Sequence, residues 1–271
     1  MSRHQEVRRT TVTRLQKLKA EGEKIACLTA YDASFARALD AAGVDVILVG
    51  DSLGMVVQGH DTTVPVTVED VLYHTRCVAR GCERALLMAD MPFMSYPTPE
   101  RALDNAARFL QEGGAQMVKL EGGAAQEATV RLLALNGIPV CAHLGLKPQS
   151  IHKLGAYRVQ GREAAAADAM VRDALALAEA GADLLLLECV PSALADRIRD
   201  AVTIPVIGIG AGAGCDGQIL VLHDVLGLTG AGDMPRFAKD FLAGNDGIEA
   251  AVRDYVEQVK AGRFPAAEHA F

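Results

Sequence analysis

Four things are scarce in this chain, and each scarcity removes a class of fold or function. The chain has no surplus of positive charge. Lysine and arginine number 27 against 34 aspartates and glutamates, a formal net charge of −7. Nucleic acid and anionic membrane surfaces both call for basic patches, so neither is an expected partner. Paired cysteines are also missing. Cys27, Cys77, Cys82, Cys141, Cys189 and Cys215 form no CxxC and no zinc-finger spacing. Several lie inside apolar runs, where a free cysteine behaves as a small hydrophobe, and reduced thiols in a cytosolic protein are expected. No apolar run approaches the roughly 20 residues of a membrane helix, and residues 1–24 are polar and basic, unlike a secretory signal. Finally, no GxGxxG turn follows an early strand, which weakens an open doubly wound sheet.

What is present is a repeating unit. Apolar runs at 25–32, 46–59, 85–92, 117–123, 138–145, 183–189 and 204–212 read as strands buried on both faces. Between them lie helical patterns with the expected punctuation. Residues 11–22 are amphipathic, Ser34 can cap 35–42, and Thr67 can cap 68–79. Thr98 and Pro99 open a helix that Gly113 and Gly114 end. Further helices are expected at 126–136, 163–180, 192–202, 237–243 and 248–261. Residues 217–227 read as a short helix or turn feeding an eighth strand. The repeat of about 30 residues, in a chain of 271, predicts a parallel sheet with helical crossovers closed into a single (β/α)8 TIM barrel. A basic arm at 1–14 and a frayed tail at 262–271 would flank it.

In such a barrel the C-terminal strand ends converge, and active sites sit there. The polar residues at those ends are Asp32, Asp51, Ser52, Asp90, Lys119, Glu121, His143 and Glu188. Any one of them could be a helix cap or a solvated acid, but six strands ending this way point to a site. Converging carboxylates repel unless a cation or proton intervenes. Asp51, Asp90 and Glu121 are hard oxygen donors with no thiolate near, a set that suits Mg²⁺ better than zinc. Lys119, two residues before Glu121 on one strand face, could neutralise a substrate carboxylate or serve as an ion pair inside the cluster. Glu188 ends the apolar approach 184–187, where desolvation would raise its pKa and suit it to a general base. His143 is either a functional group or a core histidine satisfied by backbone. Gly208, Gly210 and Gly212 suggest a phosphate site or room for a bulky substrate. The loop 146–162, carrying Lys147, Lys153, Arg158 and Arg162, is long enough to be functional.

The stretches GDSLGMVVQGHDTTVPVT (50–67), MADMPFMSY (88–96), VKLEGG (118–123), CAHLGLKPQS (141–150), LLECVP (186–191) and IGIGAGAGCDGQILVLHD (207–224) resemble ketopantoate hydroxymethyltransferase. The resemblance runs from about residue 15 to 241. It implies a barrel of the phosphoenolpyruvate mutase and isocitrate lyase group. The implied reaction moves a hydroxymethyl group from 5,10-methylenetetrahydrofolate to 3-methyl-2-oxobutanoate, giving 2-dehydropantoate on the route to pantothenate and coenzyme A. By the same resemblance Asp51, Asp90 and Glu121 bind Mg²⁺, and Asp51, Ser52, Asp90 and Lys119 contact the ketoacid. His143 lines that pocket and Glu188 accepts the proton. A cytoplasmic homodecamer is implied as well, and the basic loop is a candidate contact for the folate's glutamate tail. Two rivals stand beside this reading. One is a Mg²⁺-dependent C–C lyase or phosphomutase acting on a related 2-oxoacid, a class that often uses a reactive cysteine in a mobile loop. The other is a non-catalytic binding barrel, which a metal-free cluster of acids would destabilise.

Overall fold

The computed structural model describes residues 9–229 and 234–271, so the first eight residues of the expected basic arm lie outside the described residues. Eight strands, β1 (Ile25–Thr29), β2 (Val46–Val49), β3 (Leu86–Asp90), β4 (Met117–Glu121), β5 (Val140–Gly145), β6 (Leu184–Glu188), β7 (Val206–Ile209) and β8 (Gly217–Leu220), pair in sequence order. All pairs are parallel, and β8 closes onto β1. The expected TIM barrel is therefore what forms. Strand residues are buried almost throughout, because one face fills the barrel and the other lies under helices. That is why they read as unbroken apolar runs and not as alternating ones.

The helices are α1 (Val12–Glu21), α2 (Ala33–Ala41), α3 (Leu53–Val56), α4 (Val68–Ala79), α5 (Pro99–Gln111), α6 (Glu127–Leu135), α7 (Ile151–Leu154), α8 (Ala164–Ala180), α9 (Ser192–Ala201), α10 (Leu222–Val225) and α11 (Ile248–Lys260). Thr67 and Asp70 make a reciprocal capping box on α4, and Thr98 caps α5 with Pro99 in its first turn. At the base of the barrel, α1 buries Leu15 and Leu18. Its Lys19 ammonium reaches Asp216 at 3.0 Å and the carbonyls of Val202 and Ile204 at 3.0 and 2.9 Å. Those partners precede β7 and β8, so the lysine ties the N-terminal ends of both strands together.

Several sequence expectations need correcting. Asp32 is not a site acid. Its Oδ1 accepts the N–H groups of Ser34 and Phe35 at 2.7 and 3.0 Å, so it caps α2, and Ser34 lies inside the helix. No helix joins β7 to β8; residues 210–216 make the crossover packed against β7 and α9 instead. The glycines there are required by contact. A Cβ at Gly212 would fall 2.4 Å from Ser192 Oγ, and one at Gly214 would fall 1.8 Å from Asp196 Oδ1. At Gly208 it would strike Cys215 Sγ at 2.8 Å, and Gly210 is backed by Phe237 and Phe271 at 3.1 and 3.0 Å. The glycine series therefore serves close packing of a crossover without a helix. In 217–227 the strand comes first and the short α10 follows. Residues 237–243 are turns and bends, not a helix. The tail 262–271 is also tied down: Ser192 N–H donates to the Phe271 carbonyl at 2.8 Å, and Phe264 packs edge-on against Phe241 and Tyr255 at 5.3 and 5.9 Å.

Replacing Asp32 by alanine should cost about 1 kcal/mol of stability, the usual worth of an N-cap, with little change in catalysis. Urea unfolding beside a turnover assay tests this, and a large loss of turnover at unchanged stability would return Asp32 to the site.

Candidate active site

Asp51, Ser52, Asp90, Lys119, Glu121, His143 and Glu188 all line one cavity of about 560 Å³ at the C-terminal mouth of the barrel. Strand register explains how they meet. Asp90 lies beside Lys119 in the β3–β4 pair, and Glu121 lies beside His143 in the β4–β5 pair. Lys119 and Glu121 are two residues apart on β4, hence on one face. Asp51 and Ser52 follow β2 directly. Gly50 lets them turn inward through space and not through unusual dihedrals, since a Cβ there would sit 2.9 Å from Ser52 Oγ.

One ammonium serves four carboxylates. Lys119 Nζ donates to both oxygens of Asp90, at 2.7 and 2.9 Å, and the Asp51 N–H donates to Asp90 Oδ2 at 3.2 Å. Burial alone would pull the lysine down, but the charges of Asp90, Glu121 and Asp51 outweigh it and raise its pKa. The other acids are under-compensated. Burial, then the Asp90 charge, pushes Asp51 up to about 7. Burial pushes Glu121 well above the ordinary carboxyl range, with Lys119 opposing only in part. Burial also lifts Glu188, at the end of the leucine run of β6, to about 7. Its side chain keeps 15 % exposure toward the cavity.

His143 sits between two of these acids. Nε2 lies 3.3 Å from Glu188 Oε2 and Nδ1 lies 3.7 Å from Glu121 Oε1, yet neither nitrogen makes a hydrogen bond. Burial holds the ring neutral, so these are near contacts and not ion pairs.

The sequence reading missed Gln149 and Tyr96. The Gln149 amide nitrogen donates to Asp51 Oδ2 and to the Met91 carbonyl, each at 2.9 Å. Its backbone N–H donates to Glu121 Oε2 at 3.2 Å. The Tyr96 hydroxyl donates to Gln149 Oε1 at 2.5 Å and accepts from the Glu121 N–H at 3.2 Å. The pair thus ties one oxygen of Asp51 and one of Glu121, and the phenol sets which way the amide faces. Both residues fall inside motifs quoted above, but a neutral amide and a phenol carry no strand-end acid signal. Tyr31 was missed for the same reason; its hydroxyl lies 2.8 Å from Ser52 Oγ. Of the loop 146–162, Leu146, Pro148 and Tyr157 line the cavity, and none of its four basic residues does.

The donor chemistry fits a hard divalent cation. All the acids offer oxygen, negative charge exceeds positive, and Glu121 Oε1 is buried with no hydrogen-bond partner. A buried carboxylate in that state calls for a proton or a cation. Among the described residues no three such side chains converge on one point, and Asp51 and Glu121 each have one oxygen hydrogen-bonded, to Gln149, and one without a partner.

Comparison with known proteins follows this geometry. The sequence profile of ketopantoate hydroxymethyltransferase matches residues 9–267. The 3-methyl-2-oxobutanoate hydroxymethyltransferase of Halorhodospira halophila is 64% identical over 96% of this chain and 94% of its own. That of Alkalilimnicola ehrlichii is 65% identical over 97% and 95%. Among solved structures, phosphoenolpyruvate phosphomutase from Streptomyces platensis subsp. rosaceus superposes with a TM-score of 0.61 at 15% identity, covering 83% of this chain and 85% of that one. A phosphonopyruvate hydrolase in complex with oxalate and Mg²⁺ superposes with a TM-score of 0.60 at 15% identity, covering 92% and 96%. At those identities the two structures speak to the fold alone.

Gln149→Ala should weaken Mg²⁺ binding roughly tenfold to a hundredfold, as loss of an outer-shell partner does, and Tyr96→Phe by a smaller factor. Calorimetric titration with Mg²⁺, on variants whose circular dichroism matches the parent, measures both. Unchanged affinity in the two variants would reduce the pair to loop packing.

Proposed function

The chain belongs to the ketopantoate hydroxymethyltransferase family, and from that membership we infer that this cavity moves a hydroxymethyl group from 5,10-methylenetetrahydrofolate to 3-methyl-2-oxobutanoate, giving 2-dehydropantoate. In the net reaction, water gives its oxygen to the one-carbon unit and its two hydrogens to the nitrogens of the released folate. The C3 proton of the ketoacid ends on the new hydroxyl. One observation carries the assignment to these residues: Glu188, a carboxylate that titrates near neutrality, faces the same cavity as the buried ammonium of Lys119.

The residues divide the work as follows. Lys119, fixed by its two bonds to Asp90, attracts the ketoacid carboxylate. Ser52, oriented by Tyr31, hydrogen-bonds it. Asp51, Asp90 and Glu121 would hold Mg²⁺. When bound there the ion supplies Lewis-acid polarisation of the ketoacid carbonyl. Glu188 takes the C3 proton, its raised pKa matching the task at neutral pH. Neutral His143, 3.3 Å away, limits where that carboxylate can swing. The apolar approach through β6 keeps water from the base and sustains its basicity.

The rival reading is a lyase or phosphomutase on a related oxoacid, and its lyases often use a reactive thiol in a mobile loop. Cys189 follows Glu188 and lines the cavity, but burial pushes its thiol up to about 12. Cys215 is wholly buried, is also pushed up to about 12, and does not line the cavity. Neither supplies a thiolate near neutrality. The remaining assignments rest on the family resemblance: one catalytic domain over 1–271, a homodecamer, and a cytoplasmic location. None of the described helices is long and apolar enough to cross a membrane.

Glu188→Gln should abolish exchange of the ketoacid C3 proton in D₂O while leaving ketoacid binding within about threefold, because the amide keeps the shape and loses the base. Proton NMR reads the exchange, and normal exchange in that variant removes Glu188 from the role. Since Glu188 is protonated below its raised pKa of about 7, the exchange rate should fall about tenfold per pH unit below that value and level off above it. A profile flat from about pH 5 to 8 would contradict the assignment of base.

A further inference from the structure

The acids assigned above stand on the β2 to β6 side of the barrel mouth. A ketoacid of five carbons leaves most of a cavity of about 560 Å³ unfilled. The rest of its wall comes from the ends of β7 and β8 and from the chain that follows β8. That wall is apolar, with Ile209, Leu220, Pro235 and Phe237 facing the space. One carboxylate interrupts it. Asp224, in α10, lines the cavity and is 5 % exposed. Its helix is anchored to the barrel, since the Leu222 N–H donates to Thr29 Oγ1 at 3.0 Å. The Thr229 hydroxyl donates to Asp224 Oδ1. Burial raises the Asp224 pKa and the Thr229 bond offsets that only in part, so the carboxylate is short of donors. Arg236 is at the exposed rim, its guanidinium 5.2 Å over the Phe271 ring.

We propose that Asp224 anchors the pterin of the one-carbon donor, accepting hydrogen bonds from the N3–H and the 2-amino group of its pyrimidinone edge. This rests on the hydroxymethyltransferase reading and adds a place for its second substrate. That edge presents two parallel donors, the arrangement a carboxylate takes with both oxygens. Ile209, Pro235 and Phe237 flank the flat ring with apolar surface, and the acidic tail leaves past Arg236. The assignment also accounts for a buried carboxylate on a wall that, among the described residues, is otherwise mostly apolar, its one cation being Arg236 at the rim: an unpaired donor edge on a ligand is what such a group selects for.

The test is Asp224→Asn in the full-length enzyme. Asparagine keeps the size but turns one acceptor into a donor that opposes the pterin edge. The expected result is a rise in KM for methylenetetrahydrofolate of roughly tenfold to a hundredfold, the worth of a charged hydrogen bond. The ketoacid KM and the folate-independent C3 proton exchange in D₂O should change less than about twofold, since that half-reaction does not use this wall. An unchanged folate KM in a folded variant overturns the proposal. So does a parallel loss of exchange and folate turnover, which would make Asp224 a prop of the fold. Absence of exchange in the parent enzyme would instead sink the hydroxymethyltransferase reading, and this proposal with it. Should the asparagine variant not fold, Phe237→Ala carries the test with the same two readouts: a folate KM raised at least about fivefold supports the apolar half of the subsite, and equal change in both readouts rejects it.

Discussion

The site depends on one buried ammonium. Lys119 grips both oxygens of Asp90, and its charge also opposes the upward drift of Asp51, Glu121 and Glu188. Without it four carboxylates would share a nearly dry cavity, and the fold would have to protonate or expel them. The lysine can do this only because β4 is held in register on both sides. Pairing with β3 brings Asp90 beside it, and pairing with β5 brings His143 beside Glu121. A slip of one residue would turn Lys119 and Glu121 out toward the helices. The barrel closes with no free strand edge among the described residues, so such a slip would have to be accommodated around the whole ring.

One lysine is not enough, and neutral donors share the remaining load. Gln149 and Tyr96 fix Asp51 and Glu121 through hydrogen bonds without adding charge. A second lysine in their place would cancel more of the negative charge and compete with any cation there. An amide holds an acid in position while leaving its charge for a ligand. The result is a set of groups kept short of compensation in the free protein, a state that costs stability and favours binding of cation and substrate.

Much of this was legible in the sequence, for a physical reason. A strand buried on both faces must be apolar, so a polar residue at its end stands out, and seven of the eight residues chosen that way line the cavity. The same rule over-reached at Asp32, where an acid after β1 satisfies helix N–H groups instead. It failed at β7–β8, because the repeat was assumed to need a helix at every crossover, and glycines packed against α9 look in sequence like a ligand loop. Gln149 was invisible for a different reason. Its role comes from a loop that folds back over β2 and β4, and no periodicity records that. The tail 262–271 was expected to fray only because it ends the chain, yet its last carbonyl is bound by α9.

The two sides of the cavity make opposite demands on a ligand, and the reaction needs both. Strands β2 to β6 present charge, suited to a small anion and a cation. Among the described residues the β7–β8 side presents mostly carbon surface with one acid and, at the rim, Arg236, suited to a flat heterocycle with an acidic tail. A crossover without a helix keeps that second side thin, and Phe237 can pack directly behind Gly210. Glu188 stands at the seam, for its register partner in the β6–β7 pair is Ile209. On the proposed mechanism a base at that seam would remove a proton from the carbon that must face the second ligand, so the nucleophile would form beside its electrophile. Moved one strand toward β5, the same carboxylate would lie among the other acids, its pKa higher still. Moved one strand toward β8, it would leave the charged side of the cavity. The end of β6 is where, on the proposed mechanism, a desolvated base would meet both substrates, and the chain places its glutamate there.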